Sequence, residues 1–363
     1  MKILFYIGNL RKGGAERVVA TLSNKLVEKN EVIIITTTDE KIEYSLNKSI
    51  KLFNLKNFDG NKNPLVKNII YLKRLKDYIK DIDPDIILGF LPEPSYRLLL
   101  LKPFIKTPVI ISDRNDPKVE YASLKSRTIM KTLYKKADGF VFQTEEARSY
   151  FSKKIQDKSV VIANPVDDRF LKTKYIGEKS TEFINVGRLN EQKNQMLLME
   201  SFKDVIKKYP NYKLLIYGDG NLKNELNIYI KTNKLNNKVK LCGNVDNIEN
   251  ILKEKKCFIL SSKYEGMPNA LMEAMAVGVP CISTDCPCGG PRELIKNNIN
   301  GLLVKSNDKN ELVSAMYKII ENDKMCKKIA MSAKKNMNNY SCDKIVSKWF
   351  EFMKEVYKNE KNN

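Results

Sequence analysis

The chain has 363 residues, 42% of them hydrophobic, and its 64 Lys and Arg against 43 Asp and Glu give a formal net charge of +21. This length exceeds what one hydrophobic core usually supports, so we expect two domains. The positive charge favours an anionic partner, whether a nucleic acid, an anionic membrane surface or a phosphorylated small molecule. Since the chain contains no His, Ser-His, Cys-His and His-metal mechanisms are excluded.

The cysteine pattern and the hydropathy of the chain indicate its compartment. All seven cysteines lie in the C-terminal half without a repeated spacing, which predicts reduced thiols. Cys286 and Cys288 are close enough to begin a metal site, but no second closely spaced pair completes four ligands, so we predict no metal. The first apolar run is too short for a signal peptide, and no run approaches the roughly 20 residues that span a bilayer. We expect a cytoplasmic protein that is able to lie at the inner face of the cell membrane.

Short β-rich runs alternate with helical patterns along the chain, which is typical of parallel sheets covered by helices on both faces. A first set of strands is predicted at residues 2–8, 31–38, 85–90, 107–113, 139–144 and 159–164. The pattern is irregular through residues 166–182 and then restarts. A second set of strands is predicted at residues 183–189, 212–220, 238–244, 257–262, 280–285 and 301–305. The predicted fold class is therefore α/β.

This repeat predicts a doubly wound, Rossmann-like N-terminal domain at residues 1–168 and a second such domain at residues 169–340. Residues 341–363 carry apolar side chains at helical spacing, so we predict a C-terminal helix that crosses back to the N-terminal domain, with Trp349 in the core. Open α/β sheets bind ligands beyond the carboxyl ends of their strands. We therefore expect the two domains to face each other across a cleft that holds the active site.

A pair of glycines, Gly13 and Gly14, falls between the first strand and the helix that follows it. Free amides at a helix N-terminus favour an anion, and the missing Cβ atoms allow a close approach. The spacing is not that of the G-x-G-x-x-G dinucleotide motif. The pair predicts either contact with an anionic ligand or an ordinary turn.

Arg188 and Lys193 form a compact positive pair at the carboxyl end of the first strand of the second set. The planar fork of Arg and the ammonium of Lys both bind phosphate oxygens. Their position favours a phosphate site. In a chain so rich in Lys, a solvated face is the alternative.

The stretch YEGMPNALMEAMAVGVP, residues 264–280, contains Glu265 and Glu273 but no basic residue, which is unusual in so basic a chain. Glu265 precedes a predicted helix, Glu273 lies inside it, and the helix ends near Gly278. The turn and the free amides at the start of this helix come from Gly266, Met267, Pro268, Asn269 and Ala270. The pattern favours two carboxylates that bind hydroxyl groups at two ends of one ligand. Alternatively, Glu265 only interacts with the helix dipole.

These motifs resemble the family-4 retaining glycosyltransferases, which have the two-domain GT-B fold. The resemblance rests on GGAERV at residues 13–18, GRLNEQK at 187–193 and EGMPNALME at 265–273, and it covers nearly the whole chain in the right order. Residues 283–304, STDCPCGGPRELIKNNINGLLV, are similar to bacterial members that build capsule, exopolysaccharide and lipid-linked glycan chains.

The resemblance implies a role for each candidate residue. Glu273 matches the glutamate that binds the nucleotide ribose, and Glu265 matches the one that binds hydroxyls of the donor sugar. Arg188 and Lys193 match the pair that neutralises the donor diphosphate, and the Gly13–Gly14 loop matches the one that approaches it. The donor substrate is then a UDP-sugar, and no metal or other cofactor is required. A lysine beside either glutamate would compete with the hydroxyls, which explains the absence of basic residues from the stretch.

Many relatives carry a His in the N-terminal domain, at a place similar to SDRNDP, residues 112–117, where this chain has none. Asp113, Arg114 or a backbone group must occupy that role, and Asp113 joins Glu265, Arg188 and Lys193 as a catalytic candidate. Retaining enzymes of this kind are thought to react on one face of the sugar. There the leaving phosphate takes the acceptor proton, so no protein base is required.

Two other motifs have an ordinary explanation beside a functional one. DIDPD, residues 81–85, resembles the D-x-D metal motif of the other major glycosyltransferase fold. It precedes a strand at its amino end, which predicts a helix-to-strand turn instead. The basic amphipathic pattern at residues 65–80 places lysines opposite Ile69, Leu72 and Ile79. It predicts either a helix with its polar face in water or contact with an anionic membrane.

We therefore predict an enzyme that transfers a hexose or an N-acetylhexosamine from a UDP-sugar to a bacterial surface glycan on a polyprenyl-type lipid carrier. A nucleotide-sugar epimerase or hydrolase on the same fold is the alternative, but we locate no constellation for water or proton transfer. A nucleic-acid-binding protein would interleave aromatic and basic residues on an exposed face. Most aromatic residues here fall within predicted strands and helices, so we expect no nucleic-acid partner.

Overall fold

The structure is a computed structural model that describes residues 1–38, 41–55, 63–174 and 179–361. The chain divides into two compact units. The first unit consists of Met1–Pro165 and the C-terminal segment that begins at Cys342, and the second unit is Val166–Ser341. The sequence analysis placed the corresponding boundaries at residues 168 and 340.

A parallel sheet forms the centre of the first unit. Its strands are β1 (Lys2–Ile7), β2 (Glu31–Thr36), β3 (Lys51–Asn54), β4 (Ile86–Phe90), β5 (Val109–Ser112), β6 (Gly139–Phe142) and β7 (Ser159–Val161). They lie in the order β3-β2-β1-β4-β5-β6-β7, and each neighbouring pair runs parallel. Ile3 to Ile7 are fully buried, as expected for a central parallel strand with helices on both faces.

Helices connect these strands as crossovers. They are α1 (Gly14–Leu26), α2 (Pro64–Ile82), α3 (Pro92–Leu101), α4 (Pro117–Glu120), α5 (Leu124–Leu133), α6 (Glu145–Ser149) and α7 (Lys153–Gln156), with 3₁₀ turns at Lys102–Phe104 and Tyr134–Lys136. The longest of them, α2, begins after Asn63, whose side chain accepts a hydrogen bond from the Leu65 amide. The residue after its end, Asp83, is the C-cap and has a left-handed conformation. Its caps agree with the usual preferences for Asn before a helix and for a left-handed residue after it.

The second unit repeats the same architecture. Its strands are β8 (Glu182–Val186), β9 (Lys213–Tyr217), β10 (Val239–Gly243), β11 (Cys257–Leu260), β12 (Cys281–Asp285) and β13 (Leu302–Lys305). Their order is β10-β9-β8-β11-β12-β13, again with parallel neighbours. The helices are α8 (Asp168–Lys172), α9 (Gln195–Lys208), α10 (Lys223–Thr232), α11 (Ile248–Leu252), α12 (Asn269–Val277), α13 (Gly290–Leu294), α14 (Lys309–Glu321) and α15 (Asp323–Met337), followed by a 3₁₀ turn at Asn338–Tyr340.

The last helix, α16 (Cys342–Lys361), belongs to the first unit. Trp349 is fully buried and stacks on Phe90 of β4, with ring centroids 5.7 Å apart. A Cβ atom on Gly139 would lie 3.0 Å from a methyl group of Val356, so the helix packs closely on the start of β6. The prediction that Trp349 packs in the core is confirmed.

The two predicted doubly wound units are confirmed, and each strand of the two predicted sets has a counterpart in the structure. The sequence analysis missed β3, an edge strand with the pattern KLFN whose first two residues are exposed. It treated residues 166–182 as an irregular linker. That segment contains α8, whose Phe170 is fully buried, while residues 175–178 of the predicted linker lie outside the described residues.

Candidate functional site

The order of strands in the second unit creates a place where a ligand can bind. From β8 the chain continues to β9 and β10 on one side, whereas β11, β12 and β13 lie on the other side. The strand order therefore reverses between β8 and β11, and the loops beyond their carboxyl ends diverge. Open α/β sheets bind ligands at such a switch point. We call the space beyond the carboxyl ends of β8 and β11 the switch-point crevice.

Hydrogen bonds join the two loops that border the switch-point crevice. The Ser261 hydroxyl donates to the Lys193 carbonyl at 2.9 Å, and the Lys263 amide donates to the Gln192 carbonyl at 2.8 Å. The Gln192 side-chain amide in turn donates to the Tyr264 carbonyl at 3.0 Å. These bonds fix the loop after β8 against the loop after β11, so the side chains that the two loops carry have a defined separation.

Lys193 and Glu265 form an ion pair at this junction. The Lys193 ammonium donates to Glu265 Oε1 at 2.5 Å, and the two side chains are 18% and 7% exposed. The Ser262 hydroxyl donates to the same oxygen at 2.6 Å. The sequence-based explanation for the missing basic residues is therefore wrong for Glu265, because a lysine from another loop contacts it. Shielding from water strengthens this contact.

The Glu265 carboxylate has one occupied oxygen and one open oxygen. Among the residues that the structure describes, none donates a hydrogen bond to Oε2, although both Lys193 and Ser262 donate to Oε1. The Glu265 backbone is fixed as well, since its amide donates to the Pro287 carbonyl at 2.6 Å and its carbonyl accepts from the Cys288 amide at 2.8 Å. A carboxylate held in this way presents Oε2 as a ready acceptor for a hydroxyl group.

Glu273 lies on α12, a helix buried around its circumference. Residues 271–277 are all buried, and Glu273 is the only charged residue between Asn269 and Val277. Glu273 is 7% exposed. Because side chains four residues apart share a face and tilt toward the helix N-terminus, Glu273 lies on the same face as Asn269, one turn from the start of the helix. Burial of a charge costs free energy unless the charge is paired or hydrogen-bonded, and the place of Glu273 near the helix N-terminus agrees with the predicted site.

The start of α12 presents backbone donors. The amides of Leu271 and Met272 both donate to the Pro268 carbonyl at 3.1 Å. The preceding amides, of Asn269 and Ala270, belong to the part of a helix that has no intrahelical acceptor, where an anion is favoured. The predicted turn residues Gly266, Met267 and Pro268 are buried directly before them. The predicted end of the helix is confirmed, since Gly278 caps it with φ 85°.

Glycines allow the loops around the switch-point crevice to touch through their backbones. A Cβ atom on Gly218 would lie 1.9 Å from the Gly187 carbonyl oxygen, and one on Gly220 would lie 2.3 Å from the Leu189 carbonyl oxygen. On the other side, a Cβ atom on Gly290 would lie 1.7 Å from the carbonyl oxygen of Gly266. A side chain at any of these three positions would force the loops apart.

Arg188 lies at the rim of the switch-point crevice. Its side chain is exposed, and its carbonyl accepts a hydrogen bond from the buried side chain of Gln195 at 2.9 Å. The Leu189 amide donates to the Asp219 carbonyl at 3.0 Å, which joins this loop to the loop after β9. The structure therefore places Arg188, Lys193 and Glu265 beyond the carboxyl ends of strands of one sheet.

In the first unit, Gly13 and Gly14 lie where the sequence places them, with Gly13 as the N-cap of α1. The Tyr44 hydroxyl accepts from the Gly13 amide at 2.9 Å and donates to its carbonyl at 2.7 Å. A Cβ atom on Gly13 would lie 2.0 Å from a carboxylate oxygen of Glu16. Because this contact involves the end of a flexible side chain, it does not by itself require glycine at position 13, but it places an acidic group where an anion was predicted.

Asp113 lies in a cluster of tyrosines in the first unit. The hydroxyls of Tyr121 and Tyr134 donate to its two carboxylate oxygens at 2.7 and 2.8 Å. Burial raises the pKa of the Asp113 carboxyl to about 6, while these hydrogen bonds act in the opposite direction. In this conformation both oxygens are occupied. The geometry thus favours a role in holding the loop after β5 rather than contact with a substrate.

Arg114, the neighbour of Asp113, is half-buried. Burial lowers its pKa to about 9, and its guanidinium donates to Ser112 and Asn164. Asp113 and Arg114 line a small pocket with Leu91, Pro92, Asn115, Pro117, Glu120 and Tyr121. Leu91 has φ 70°, a conformation that costs free energy for a residue with a side chain and that recurs at functional sites.

The DIDPD segment forms the turn that the sequence predicts. Helix α2 ends at Ile82, and Asp85 accepts from the Lys2 amide at 2.7 Å, at the amino ends of β1 and β4.

Cys286, a candidate metal ligand in the sequence, is buried. This burial, followed by the charge of Glu265, raises the pKa of its thiol to about 12. In the described ranges no group of three or more His, Cys, Asp or Glu side chains is arranged to hold a metal ion.

Ser262 and the two tyrosines of the Asp113 cluster were not among the predicted site residues. Ser262 had a signal in the sequence, because it lies two residues beyond the apolar run CFIL, at the carboxyl end of a strand. Tyr121 and Tyr134 had none, since their contact with Asp113 depends on how α4 and α5 return to the sheet.

No helix within the described part of the chain has the length and hydropathy that spanning a bilayer requires.

Two protein-family models match the chain. The model described as Glycosyltransferase Family 4 matches residues 12–170. The model described as Glycosyl transferases group 1 matches residues 167–336. Each therefore corresponds closely to one of the two structural units.

Known proteins are similar over most of the chain. An uncharacterized glycosyltransferase of Methanocaldococcus jannaschii is 33% identical over 357 residues, covering 83% of this chain and 86% of the relative. A Campylobacter jejuni relative, named GalNAc-alpha-(1->4)-GalNAc-alpha-(1->3)-diNAcBac-PP-undecaprenol alpha-1,4-N-acetyl-D-galactosaminyltransferase, is 28% identical over 365 residues, 98% of this chain and 99% of the relative. The crystal structure of Anabaena HepE in complex with UDP has a TM-score of 0.81 at 16% identity, covering 98% of this chain and 100% of that one.

Proposed function

This chain belongs to the family-4 glycosyltransferases and has their GT-B fold, and we propose that it transfers a hexose or an N-acetylhexosamine from a UDP-sugar to a glycan on a lipid diphosphate. The name of the Campylobacter jejuni relative specifies a glycan on diphosphoundecaprenol as acceptor. The Anabaena structure contains UDP. Both support the proposal. In this proposal the reaction belongs to the synthesis of a bacterial surface glycan at the cytoplasmic face of the membrane.

The observation that carries the proposal is the Lys193–Glu265 pair in the switch-point crevice. An ammonium group has three donors, and among the described residues only Glu265 accepts from the Lys193 ammonium. Lys193 can therefore hold Glu265 and a phosphate oxygen together. Arg188 adds a second cation at the rim, and the N-terminus of α12 adds a positive dipole. We assign the donor diphosphate to these groups, which supply the positive charge that a metal ion supplies in other transferases.

The two glutamates bind the two ends of the donor molecule in this proposal. Glu273, one turn from the start of α12, accepts hydrogen bonds from the ribose hydroxyls. Glu265 accepts a hydrogen bond from a hydroxyl of the donor sugar through its open oxygen, Oε2. The sugar ring gains positive character as its bond to phosphate breaks, so the negative charge of Glu265 stabilises the transition state more than the ground state.

The reaction proceeds with retention of configuration and without a protein base. The bond between the anomeric carbon and the β-phosphate oxygen breaks, and its electron pair stays on that oxygen. The oxygen of the acceptor hydroxyl forms the new bond to the anomeric carbon, and its proton passes to the departing UDP. The arrangement of Asp113, whose two oxygens accept from tyrosines, is consistent with this assignment of the proton.

The first unit presents the acceptor, and α2 contacts the membrane that carries it. Leu65 and Ile69 of α2 are 73% and 65% exposed, while the residues buried against the sheet are Tyr71, Leu75 and Ile79. The sequence analysis assigned Ile69 to the apolar face that opposes the lysines, which is wrong. Exposed apolar residues beside lysines are typical of a helix that lies on an anionic surface.

The test is a transfer assay with the purified chain, a panel of UDP-sugars and polyprenyl-diphosphate-linked acceptors. We expect one donor to label the lipid-linked glycan, with activity retained in excess chelator. Arg188→Ala and Lys193→Ala should each lower turnover by about a hundredfold, the scale of losing one preorganised electrostatic contact. Release of UDP without a labelled glycan for every acceptor would indicate a hydrolase instead. Loss of activity that only Mg²⁺ or Mn²⁺ restores would contradict the metal-independent mechanism.

A further inference from the structure

Ser262 is a buried hydroxyl residue that no motif of the sequence singled out. It is the second residue after β11, is fully buried, and its hydroxyl donates to Glu265 Oε1 at 2.6 Å. We propose that Ser262 is a positioning residue that fixes the orientation of the Glu265 carboxylate, so that Oε2 is presented to a hydroxyl of the donor sugar. This inference rests on the proposed function and extends it to a residue that does not touch the substrate.

The position of Ser262 is itself fixed by the sheet. Its carbonyl accepts a hydrogen bond from the Thr284 hydroxyl at 2.7 Å, and Thr284 lies on β12, the strand next to β11. A hydroxyl anchored in this way has one donor and one nearby carboxylate. The Ser262–Glu265 hydrogen bond therefore fixes the orientation of the Glu265 side chain relative to the sheet.

Lys193 also donates to Oε1, but its contribution changes when the donor binds. A diphosphate carries negative charge and attracts the same ammonium that Glu265 attracts. When its ammonium binds both anions, the long lysine side chain constrains the Glu265 carboxylate less than when it binds the carboxylate alone. The Ser262 hydroxyl is neutral, so the charge of the diphosphate does not draw it away from Glu265. Its hydrogen bond therefore keeps Oε1 in place. We infer that Ser262 matters most in the donor-bound state.

The test compares Ser262→Ala with Ser201→Ala. Ser201 is likewise fully buried in the second unit, where its hydroxyl donates to the Leu197 carbonyl within α9 at 2.7 Å. Both changes remove the same atoms and one hydrogen bond. For Ser262→Ala we expect kcat to fall by roughly ten- to a hundredfold, the scale of losing a hydrogen bond to a charged group. UDP affinity, measured by calorimetry, should remain within about twofold, because UDP lacks the donor sugar that contacts Glu265.

Ser262→Cys keeps the size of the side chain and a weak donor, so its kcat should lie between those of the unchanged protein and Ser262→Ala. Adding Ser262→Ala to Glu265→Gln should cost far less than it does alone, because two residues that act through one contact are not additive. Thermal unfolding of the Ser262→Ala and Ser201→Ala proteins provides the reference for folding effects.

Two outcomes overturn the inference while leaving the proposed function intact. One is that Ser262→Ala and Ser201→Ala reduce kcat equally. The other is that the loss from Ser262→Ala remains unchanged in the Glu265→Gln background, which would make its effect purely structural. If none of the UDP-sugars serves as a donor for the unchanged protein, the proposed function is wrong, and so is the role assigned to Ser262.

Discussion

At the scale of single residues, Glu265 and Glu273 differ in what surrounds them. Glu265 is held by a lysine, a serine and two backbone hydrogen bonds, and one of its oxygens remains open. Glu273 projects from a helix without another charged residue. In the proposed function, the first carboxylate lies where positive charge develops on the donor sugar. The second binds one end of the nucleotide, where contacts change little during the reaction.

This difference predicts opposite effects for two substitutions. Glu273→Ala should raise the donor KM and weaken UDP binding, because a ribose contact is the same in the ground and transition states. Glu265→Gln keeps size and hydrogen bonding but removes the charge, so kcat should fall strongly, by about a hundredfold or more, with UDP affinity nearly unchanged. Calorimetry with UDP and initial rates with the full donor check both. If Glu265→Gln lost UDP affinity while Glu273→Ala kept it, the two roles would be reversed.

The sequence identified Arg188, Lys193, Glu265 and Glu273 as site candidates but did not predict the contact between Lys193 and Glu265. These two residues are 72 positions apart in the chain. Their contact depends on the hydrogen bonds between the loops after β8 and β11, which have no local signature. The same holds for Asp113, whose residue type suggested catalysis, whereas its surroundings, two tyrosine hydroxyls, depend on tertiary packing.

At the scale of elements, the loop before α12 depends on the loop before α13. Gly290, the first residue of α13, faces the Gly266 carbonyl, and Gly289 before it has φ 79°. The two loops are also joined by hydrogen bonds between Glu265 and residues 287 and 288. The position of the first glutamate is thus set by backbone contact between two loops, and glycine is the residue that permits it.

Gly290→Ala should therefore destabilise the protein and disturb the site. Its Cβ atom would lie 1.7 Å from the Gly266 carbonyl oxygen, so a loop must shift, at a cost of about 1–3 kcal/mol. UDP-sugar affinity should fall as well, because Gly266 adjoins Glu265. Gly8→Ala is the control, since nothing lies within 4 Å of its Cβ position, and its unfolding free energy should change by less than about 0.5 kcal/mol. Urea unfolding measures both. Equal stability of the two variants would show that the loops are not in close contact.

Strands and helices could be predicted where their burial requires a recognisable pattern of apolar residues. The buried strands of both sheets have continuous apolar runs that mark parallel strands. Strand β3 lies at the edge of its sheet, alternates little and has exposed residues, so its sequence carries no such signal. The orientation of α2 was predicted only in part, because apolar residues occur on more than one side and only packing shows that Ile69 is exposed.

At the scale of the whole molecule, the net charge of +21 attracts any anionic surface, but its distribution decides how the molecule would lie on one. On α2, residues 65, 69, 73, 76 and 80 fall on one side of the helix at 100° per residue. This side combines the exposed Leu65 and Ile69 with Lys73, Lys76 and Lys80. A uniformly basic surface would attract the protein to an anionic membrane without orienting it. This face of α2 also offers apolar side chains for contact with the membrane.

A pair of charge-matched variants distinguishes membrane contact through α2 from attraction by net charge alone. Lys73→Glu with Lys80→Glu changes the face of α2, and Lys327→Glu with Lys328→Glu makes the same change in net charge on exposed positions of α15. Each lysine near an anionic surface contributes about 1 kcal/mol. If α2 is the contact, the α2 variant should bind vesicles of anionic lipid at least about tenfold more weakly than the α15 variant. Sedimentation with vesicles at two salt concentrations measures this, because screening weakens charge but not apolar burial. Equal losses in both variants would mean that net charge alone attracts the molecule to the membrane.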